Sequence, residues 1–299
     1  MQIQETHDVV VLGSGLAGLT AALAAALDGA DVVLLEKAEL IGGTTALSGA
    51  GIWIPGNPIA AEQGVEDSLE EGATYLESLS NGMILPELAE ALISGGPRFV
   101  DFLHEHTDLR LRLVEGYPDY HPEHPGGKPR GGRTLEPGLF SFAGIEQWID
   151  RIGGDIQRIV LTEMPLGGGT GVVAPEVLAA RADAREEGLG RALVGGVLKA
   201  CLAQGVRVET GCRALRLCTA ERRVVGVEVE TDDRMRTVRA RAVVLATGGF
   251  EYDPDLVRDF LRGPLTRPIG APTNTGDGLR MAMRVGARLG NMREAWWSP

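Results

Sequence analysis

Three glycines near the start of the chain are spaced as a phosphate-binding turn requires. Gly13, Gly15 and Gly18 follow an uninterrupted apolar run at residues 9–12 and open an alanine-rich, helix-forming stretch. The first glycine allows a tight turn, the second lets the backbone approach a pyrophosphate, and the third allows close packing of helix on strand. The start of such a helix offers free N–H groups and the positive end of a dipole. The predicted dinucleotide contacts in this turn are Gly13, Ser14, Gly15, Leu16, Ala17 and Gly18.

An acidic residue, Glu36, ends the second apolar run of this region, and Lys37 follows it. Its distance from the glycine turn suits a carboxylate that accepts hydrogen bonds from a ribose. An ordinary strand–helix–strand turn is the alternative interpretation, since glycine turns are common. Strand, turn, helix, strand and acid nevertheless occur here in the required order, which favours a dinucleotide site. Glu36 and Lys37 are therefore among the predicted contacts.

A second loop rich in small residues follows at residues 37–58. Small side chains keep the backbone accessible, so this loop suits close contact with a flat ring and a ribityl phosphate chain. The alternative is a flexible glycine loop. A simple NAD-binding domain has no need of this second loop, and the pattern therefore favours FAD as the cofactor. The predicted contacts here are Gly42, Gly43, Thr44, Thr45, Leu47, Ser48, Gly49, Ala50 and Gly51.

The last third of the chain supplies a further set of predicted cofactor contacts. Residues 242–250 are typical of a buried parallel strand that runs into a glycine turn, and the carboxyl ends of such strands line a nucleotide crevice. A helix is predicted to open near Asp277 with its N–H groups toward the flavin; alternatively, Thr275 or Asp277 caps this helix. The predicted contacts are Arg213, Ala214, Ala246, Thr247, Gly248, Gly249, Asn274 and Asp277.

Residues 116–138 combine many prolines and glycines with side chains that could transfer protons or bind ligands. We predict no regular structure there, and a solvated loop with rigid turns is the simplest interpretation. The HxxH pair, His121 and His124, could suggest a metal, but the prolines exclude helical ligand geometry and no third ligand is evident. We therefore predict no metal site. The other candidate side chains of the loop are Tyr117, Tyr120, Arg130 and Arg133.

The hydrophobic pattern predicts an α/β chain around these residues. Helices are expected over residues 62–106, with breaks at 80–82 and 94–97, and again over 174–187. Residues 166–171 form a connection and not a phosphate loop, because no lysine follows the glycines.

The dinucleotide fold is predicted to resume at Gly190. A helix that ends at residues 204–205 leads into a strand, and a hairpin with strands at 224–230 and 237–241 comes next. The buried strand from Ala242 completes the pattern.

The chain is accordingly predicted to be one FAD-binding domain over residues 1–299. A dinucleotide unit and flavin loop occupy 1–58, a helical and loop insertion occupies 59–189, and the return to the FAD domain occupies 190–299.

Composition excludes several classes of partner. The 299 residues carry a formal net charge of −12, which argues against nucleic acid or an anionic membrane surface as a partner. No apolar run reaches the length needed to insert stably into a membrane, and the first residues lack the features of a signal peptide. Three cysteines without metal-ligand spacing are expected to be reduced thiols. A small-molecule substrate and a cytoplasmic location are the resulting expectations.

Several segments together resemble the N-terminal part of the FAD-dependent fumarate reductase and 3-ketosteroid Δ1-dehydrogenase family. The similarity covers almost the whole chain: VVLGSGLAGL, LLEKAELIGGTTALSGAGIWIPGNP, VVLATGGFEYDP, and APTNTGDGLRMA with EAWW after it. GGTTALSGAGIWIP and PDYHPE are especially similar to 3-ketosteroid Δ1-dehydrogenases. The resemblance implies a Rossmann-like FAD-binding fold of the glutathione reductase and succinate dehydrogenase type. It also implies non-covalent FAD, because the glycine-rich loop lacks the histidine to which related covalent flavoproteins attach it.

The family removes two hydrogens across a C–C bond next to a ketone. A base takes the proton α to the carbonyl, and a hydride passes to the flavin. The resemblance implies that Tyr120, the tyrosine of the PDY motif, is an active-site residue, and that an external electron acceptor reoxidises the flavin. The pKa of a phenol is about 10, so a tyrosine that acts as a base needs a neighbour that favours the phenolate.

The family's capping domain and flavin-covering segment correspond to sequence after residue 299. This chain is therefore expected to end before the capping domain and to contain the FAD domain with part of the steroid-facing wall. Two alternatives stay open. One is a fumarate reductase-like flavoprotein that acts on a small dicarboxylate, and the other is a non-catalytic FAD-binding fragment.

Overall fold

The computed structural model describes residues 5–232 and 234–295. Trp296 and Trp297 of the EAWW match lie outside these residues. The first elements along the chain are β1 (Glu5–Leu12), α1 (Leu16–Leu27), β2 (Val32–Leu35), α2 (Gly43–Leu47), β3 (Ile52–Trp53), α3 (Pro58–Glu62), α4 (Leu69–Ser80), α5 (Pro86–His106), β4 (Leu111–Leu113), β5 (Thr134–Pro137) and β6 (Phe140–Ser141). They are followed by α6 (Pro175–Asp183), β7 (Glu186–Glu187), α7 (Leu189–Ala203), β8 (Arg207–Glu209), β9 (Arg213–Ala220), β10 (Arg223–Thr231), β11 (Arg234–Leu245), α8 (Pro254–Phe260) and α9 (Asp277–Arg284).

The chain forms two compact units. The first comprises Met1–Leu47, Gln147–Gly154 and Val197–Pro299, and the second comprises Ser48–Glu146 and Asp155–Gly196. Within the described ranges, none of the helices has both the length and the hydrophobicity that a bilayer crossing requires.

A six-stranded sheet in the order β8-β2-β1-β11-β10-β9 lies at the centre of the first unit. The strands β8, β2, β1 and β11 are parallel, whereas β10 and β9 continue the sheet in antiparallel fashion. Val10, Val11 and Leu12 of β1 are at most 1% exposed. Because β1 lies between β2 and β11, the strand order reverses at its carboxyl end, where sheets of this class bind ligands. The predicted α/β dinucleotide-binding fold is confirmed.

The strand β11 replaces two predicted segments. The sequence pattern predicts a hairpin strand at 237–241 and a separate buried strand from Ala242, but these residues belong to one strand of 12 residues. It pairs antiparallel with β10 on one side and parallel with β1 on the other. The predicted burial of its end is wrong. Leu245 is 36% exposed because it lines a cleft in this unit.

Helices α3 to α6 and two small antiparallel sheets, β3-β5-β4 and β6-β7, make up most of the second unit. Helix α4 begins after Ser68, whose hydroxyl accepts the N–H of Glu71 at 3.1 Å. It ends before Asn81, which has the left-handed conformation that closes a helix. The predicted break at residues 80–82 is confirmed.

The predicted break at residues 94–97 is wrong, because α5 continues through Pro97 to His106. Ile93, Val100 and Leu103 are at most 5% exposed, and this burial stabilises the helix despite the hydrogen bond that a proline removes. A Cβ on Gly96 would lie 2.9 Å from Ile54 Cγ2, so the glycine allows close packing. Tertiary packing therefore decides the structure of this segment.

Residues 116–138 are mostly irregular, as predicted, except at their end. Thr134–Pro137 forms β5, which pairs with β3 and β4 and is buried throughout. The prediction of no regular structure is wrong for these four residues, because burial between two strands outweighs the local effect of Pro137.

Candidate active site and cofactor cleft

A cleft of about 480 Å³ opens in the first unit at the ends of three parallel strands. Leu12, Leu35 and Leu245, the last residues of β1, β2 and β11, line it. The volume lies within the range of about 300–1,000 Å³ that is usual for small-ligand sites. The predicted contacts that the fold brings together here are Gly13, Ser14, Gly15, Leu16, Ala17, Glu36, Lys37, Gly43, Thr44, Thr45, Ala214, Ala246, Thr247, Gly248, Asn274 and Asp277.

Close approach of the backbone requires the glycines of the first turn. Gly13 has φ +102°, and a Cβ there would lie 2.3 Å from the carbonyl oxygen of Ala246. A Cβ on Gly18 would lie 1.9 Å from the carbonyl oxygen of Gly13. The following helix, α1, has no side-chain cap among the described residues, although the N–H of Leu16 donates to Thr45 Oγ1 at 3.1 Å. An uncapped helix start beside a bare glycine turn is a site for a phosphate anion.

We expect Gly18→Ala to destabilise the fold by about 1–3 kcal/mol, the usual cost of overpacking. It should also weaken FAD binding, because α1 must move away from the glycine turn. Thermal unfolding and flavin titration measure the two effects. Gly95→Ala is the matched control, since Gly95 lies in α5 and a Cβ there meets nothing within 4 Å. Equal losses in both variants would contradict the packing argument.

A buried network joins the glycine turn, the end of β2 and the second loop. Glu36 Oε2 accepts hydrogen bonds from the N–H and the hydroxyl of Ser14 at 3.0 and 2.6 Å, and Oε1 accepts the N–H of Ala38 at 2.9 Å. The Ser14 hydroxyl in turn accepts the N–H of Gly42 at 2.9 Å. Glu36 is 7% exposed and lines the cleft. Its carboxylate keeps lone pairs for a ribose hydroxyl.

We expect Glu36→Ala to weaken FAD binding by about 10- to 150-fold, because a hydrogen bond to a charged group contributes about 1.5–3 kcal/mol. Flavin fluorescence titration of the apoprotein measures the change. Glu39→Ala removes an exposed carboxylate three residues further on and should leave the affinity unchanged. If the two variants bound FAD equally well, Glu36 would have no role in the site.

Part of the predicted glycine loop is a short helix, α2, which the sequence pattern did not predict. It directs two threonines to different partners. Thr45 Oγ1 accepts the N–H of Leu16, and Thr44 Oγ1 accepts the N–H of Ala271 and Asn274 Nδ2, each at 3.0 Å. Asn274 Nδ2 also donates to Glu251 Oε1 at 2.7 Å. The hydroxyls therefore fix the walls of the cleft.

An ion-pair cluster surrounds Asp277 at the start of α9. Its carboxylate accepts hydrogen bonds from Lys37 Nζ at 2.9 Å and Arg213 Nη2 at 3.3 Å. Burial alone would raise the pKa of Asp277, but these two cations outweigh it and hold the pKa below its usual range. Helix α9 follows Gly276 without a side-chain cap, so the capping interpretation of Thr275 or Asp277 is wrong. Lys37 also donates to the Thr275 hydroxyl at 2.8 Å.

Sequence reasoning missed one face of α9. Gly278, Met281 and Ala282 line the cleft, and their helical spacing was the available signal. A Cβ on Gly278 would lie 2.0 Å from Thr247 Oγ1, so this glycine sets the close approach of the helix. Other lining residues that were not predicted are Cys212, Thr273 and Leu279.

The remaining predicted contacts do not line this cleft. Gly18 packs against Gly13, Gly42 donates its N–H to Ser14, and Arg213 pairs with Asp277, so these three stay predicted contacts. A Cβ on Gly249 would lie 2.3 Å from Glu251 Oε2. The side chain of Leu47 is about half exposed.

Four residues of the flavin loop belong to the second unit and stay predicted contacts: Ser48, Gly49, Ala50 and Gly51. There the carbonyl oxygen of Ser48 accepts the N–H of Gly190 at 3.0 Å, and Gly51 lies against Leu161 and Thr134.

Buried charges hold the segment that carries Tyr120, also in the second unit. Asp119 is 4% exposed and accepts hydrogen bonds from Trp53 Nε1 at 2.7 Å and Arg133 Nη1 at 2.8 Å. Arg133 is fully buried and also donates to Asp67 at 2.7 and 3.0 Å. Its guanidinium lies 5.5 Å from the Trp53 ring centre, within cation–π range. The residue that precedes Tyr120 is thereby fixed.

Tyr120 itself is 62% exposed, and its ring centre lies 6.4 Å from that of Tyr117 in an edge-on arrangement. Burial and a hydrogen bond with Tyr120 raise the pKa of Tyr117 to about 12. A hydrogen bond therefore joins the Tyr117 and Tyr120 side chains. The sequence pattern did not predict this contact of Tyr117.

Among the curated proteins that match this chain, two dehydrogenases cover nearly all of it. A 4-oxocyclohexanecarboxylate 2-dehydrogenase of Sinomonas cyclohexanicum is 39% identical over 304 residues, which cover 99% of this chain and 52% of the relative. A 3-oxosteroid 1-dehydrogenase of Mycobacterium tuberculosis is 37% identical over 331 residues, which cover 100% of this chain and 57% of the relative. The chain thus spans about half the length of the curated relatives it matches.

Solved structures agree with the fold. The 3-ketosteroid Δ1-dehydrogenase of Sterolibacterium denitrificans, in complex with 1,4-androstadiene-3,17-dione, aligns with a TM-score of 0.83 and 30% identity over 98% of this chain and 57% of that chain. A flavocytochrome c3 fumarate reductase aligns with a TM-score of 0.64 and 24% identity over 95% of this chain and 41% of that chain, which supports the fold alone.

The FAD binding domain family matches residues 8–299. The residues present fit the cofactor: a glycine turn and an uncapped helix start suit the pyrophosphate, and Glu36 suits a ribose. FAD is the cofactor of this domain, and the chain belongs to the FAD binding domain family.

Proposed function

We propose that this protein is a dehydrogenase that removes two hydrogens from the C–C bond next to a ring ketone, with a 3-ketosteroid as its substrate. Curated relatives with this type of activity match nearly the whole chain at 37–39% identity. A related structure at 30% identity holds 1,4-androstadiene-3,17-dione. The observation that carries the proposal is the exposed phenol of Tyr120, held beside a buried charge network in the second unit.

The reaction divides into a proton transfer and a hydride transfer. FAD, when bound, accepts the hydride. The proton α to the ketone must go to a base, and Tyr120 is the residue that we assign to this proton transfer. Tyr120 is exposed as a residue, while Asp119 and Arg133 restrain the backbone on which it lies. Tyr117 is hydrogen-bonded with Tyr120, and a hydrogen bond donated by the Tyr117 hydroxyl stabilises negative charge on the Tyr120 oxygen.

A smaller ring ketone is the second candidate substrate. The Sinomonas relative is named for 4-oxocyclohexanecarboxylate, which shares the ring ketone with a steroid but also carries a carboxylate. We also propose that an external electron acceptor reoxidises the flavin and that the protein acts in the cytoplasm. The net charge of −12 supports a small-molecule substrate over nucleic acid.

An anaerobic visible spectrum of the flavin-loaded protein tests the proposal. We expect androst-4-ene-3,17-dione to bleach the flavin band, and re-oxidation by an added dye to restore it. Bleaching by 4-oxocyclohexanecarboxylate alone would indicate that the smaller ketone is the substrate. Oxidation of a reduced dye by fumarate, without bleaching by either ketone, would favour the fumarate reductase-like alternative. A flavin that reacts with none of these compounds would leave a cofactor-binding role only.

A further inference from the structure

The turn after Tyr120 brings three possible metal ligands together. His121, Glu123 and His124 each offer one ligand atom, and these atoms lie within 4.8 Å of one another. Across residues 5–232 and 234–295, this is the only group of three histidine, cysteine or acidic side chains so arranged. The sequence analysis found two histidines but no third ligand. Glu123, which lies between them in the sequence, supplies it.

Pro122 brings the possible metal ligands together. The prolines exclude helical ligand geometry, but Pro122 forms a turn with the same effect. The N–H of His124 donates to the carbonyl oxygen of His121 at 3.0 Å, which closes a four-residue turn with Pro122 in its second position. Proline favours that position because its φ is already suitable. A turn of this kind brings its first and fourth residues together, as one turn of helix would. The histidine rings accordingly have centres 5.7 Å apart.

Neighbouring groups orient the site. The N–H of His121 donates to the buried Tyr75 hydroxyl at 3.0 Å, which anchors the start of the turn. The Ser78 hydroxyl donates to the carbonyl oxygen of Tyr75 at 2.7 Å and lies 3.3 Å from His124 Nδ1. Because that hydroxyl donates its proton to Tyr75, its oxygen can accept a hydrogen bond from His124 Nδ1. The other ring nitrogen, Nε2, is then the one that can bind a metal.

Charge also favours a cation here. The Glu123 carboxylate lies 3.6 Å from His121 Nδ1. A glutamate carboxyl is ordinarily ionised at neutral pH, so this group contributes a negative charge. Ligand atoms on one tetrahedral Zn²⁺ lie roughly 3.4 Å apart, as bond lengths of about 2.0–2.2 Å require. Small rotations of the exposed His121 and Glu123 side chains would reach that separation.

We propose that His121, Glu123 and His124 form a surface site for a divalent first-row transition-metal ion, with Zn²⁺ as the representative ion. Two imidazole nitrogens and one carboxylate oxygen are ligands that such ions accept, and water completes a four-coordinate shell. The site does not depend on the proposed dehydrogenase activity.

Calorimetric titration of the tag-free, flavin-loaded protein with Zn²⁺ in a non-chelating buffer tests the proposal. We expect one equivalent to bind in a saturable manner. His121→Asn, Glu123→Gln and His124→Asn should each weaken binding at least about tenfold. His106→Asn is the matched control, because His106 is partly exposed and has an acidic neighbour, Glu105, at 3.8 Å but belongs to no group of three.

A second readout separates ligation from general surface binding. The electron paramagnetic resonance spectrum of bound Cu²⁺ should show coupling to two imidazole nitrogens, and each histidine variant should remove one. Unchanged melting temperatures of the metal-free variants verify that the fold is intact. The proposal is overturned if the protein binds no stoichiometric Zn²⁺, if binding survives in both the His121 and His124 variants, or if His106→Asn weakens it equally.

Discussion

Replacement of Arg133 by methionine should lower the free energy of unfolding by about 3–5 kcal/mol, the usual cost of removing one partner of a buried ion pair. The substitution keeps much of the side-chain volume but removes the cation shared by Asp67 and Asp119. Both carboxylates are at most 2% exposed, so each would retain a buried charge without its main partner. Denaturant unfolding measures the loss.

An exposed arginine with a similar number of partners provides the control. Arg258 forms ion pairs with Asp255 at 2.7 Å and Asp259 at 2.9 Å, but its side chain is 66% exposed. Exposed ion pairs contribute about 0–1 kcal/mol, so Arg258→Met should change stability little. Similar losses in the two variants would mean that burial does not determine the contribution of the Arg133 network.

The Arg133 variant should also change the response to acid. Burial alone would raise the pKa of Asp67, but the hydrogen bond and charge of Arg133, together with backbone hydrogen bonds from Gly56 and Ser68, outweigh burial and hold the pKa below its usual value. The folded-state pKa is thus lower than the unfolded one. The resulting stabilisation is complete above the unfolded pKa and is lost as pH falls through the folded pKa. Without Arg133, the folded pKa of Asp67 rises towards or above the unfolded one, so the part of the stability that Asp67 loses in acid should become smaller.

Replacement of Tyr120 by phenylalanine should slow flavin reduction by substrate about 10²- to 10⁴-fold, the usual effect of removing a general base or acid. This prediction depends on the proposed function. Phenylalanine keeps the ring and its contact with Tyr117, so the apparent substrate affinity should change much less than the rate. Anaerobic stopped-flow measurement of flavin bleaching separates the two quantities.

Two further tyrosine variants make the test specific. Tyr252→Phe also removes a phenol hydroxyl, one that donates to the Pro268 carbonyl oxygen at 3.0 Å, and should leave the rate unchanged. Tyr117→Phe removes the hydroxyl beside Tyr120 and should decrease the rate of flavin reduction less than Tyr120→Phe does. A Tyr120 variant with the original rate would exclude this residue from the proton transfer.

The dinucleotide site was predictable because its determinants are local. Gly13, Gly15 and Gly18 lie within six consecutive positions, and a Cβ on Gly13 or Gly18 would clash with neighbouring backbone. Glu36 follows one helix and one strand later, at a distance fixed by those elements. A local pattern of the same kind, an apolar run followed by glycines, predicted the turn after β11. It did not predict that one strand would serve both β1 and β10, since pairing partners are not encoded in a single segment.

The second unit shows the opposite case. Arg133 and Tyr117 were visible in the sequence only as members of a proline-rich loop. Arg133 lies 14 positions from Asp119 and 66 positions from Asp67, so only the folded chain brings these charges together. Glu123 lies in the same loop. Its prolines exclude a helix, and the turn that Pro122 forms was not predicted. The sequence by itself determined the cofactor and the strands that hold it, because glycine spacing and apolar runs act locally. Tertiary structure alone decided which polar side chains share the buried charge network, because those contacts join distant segments.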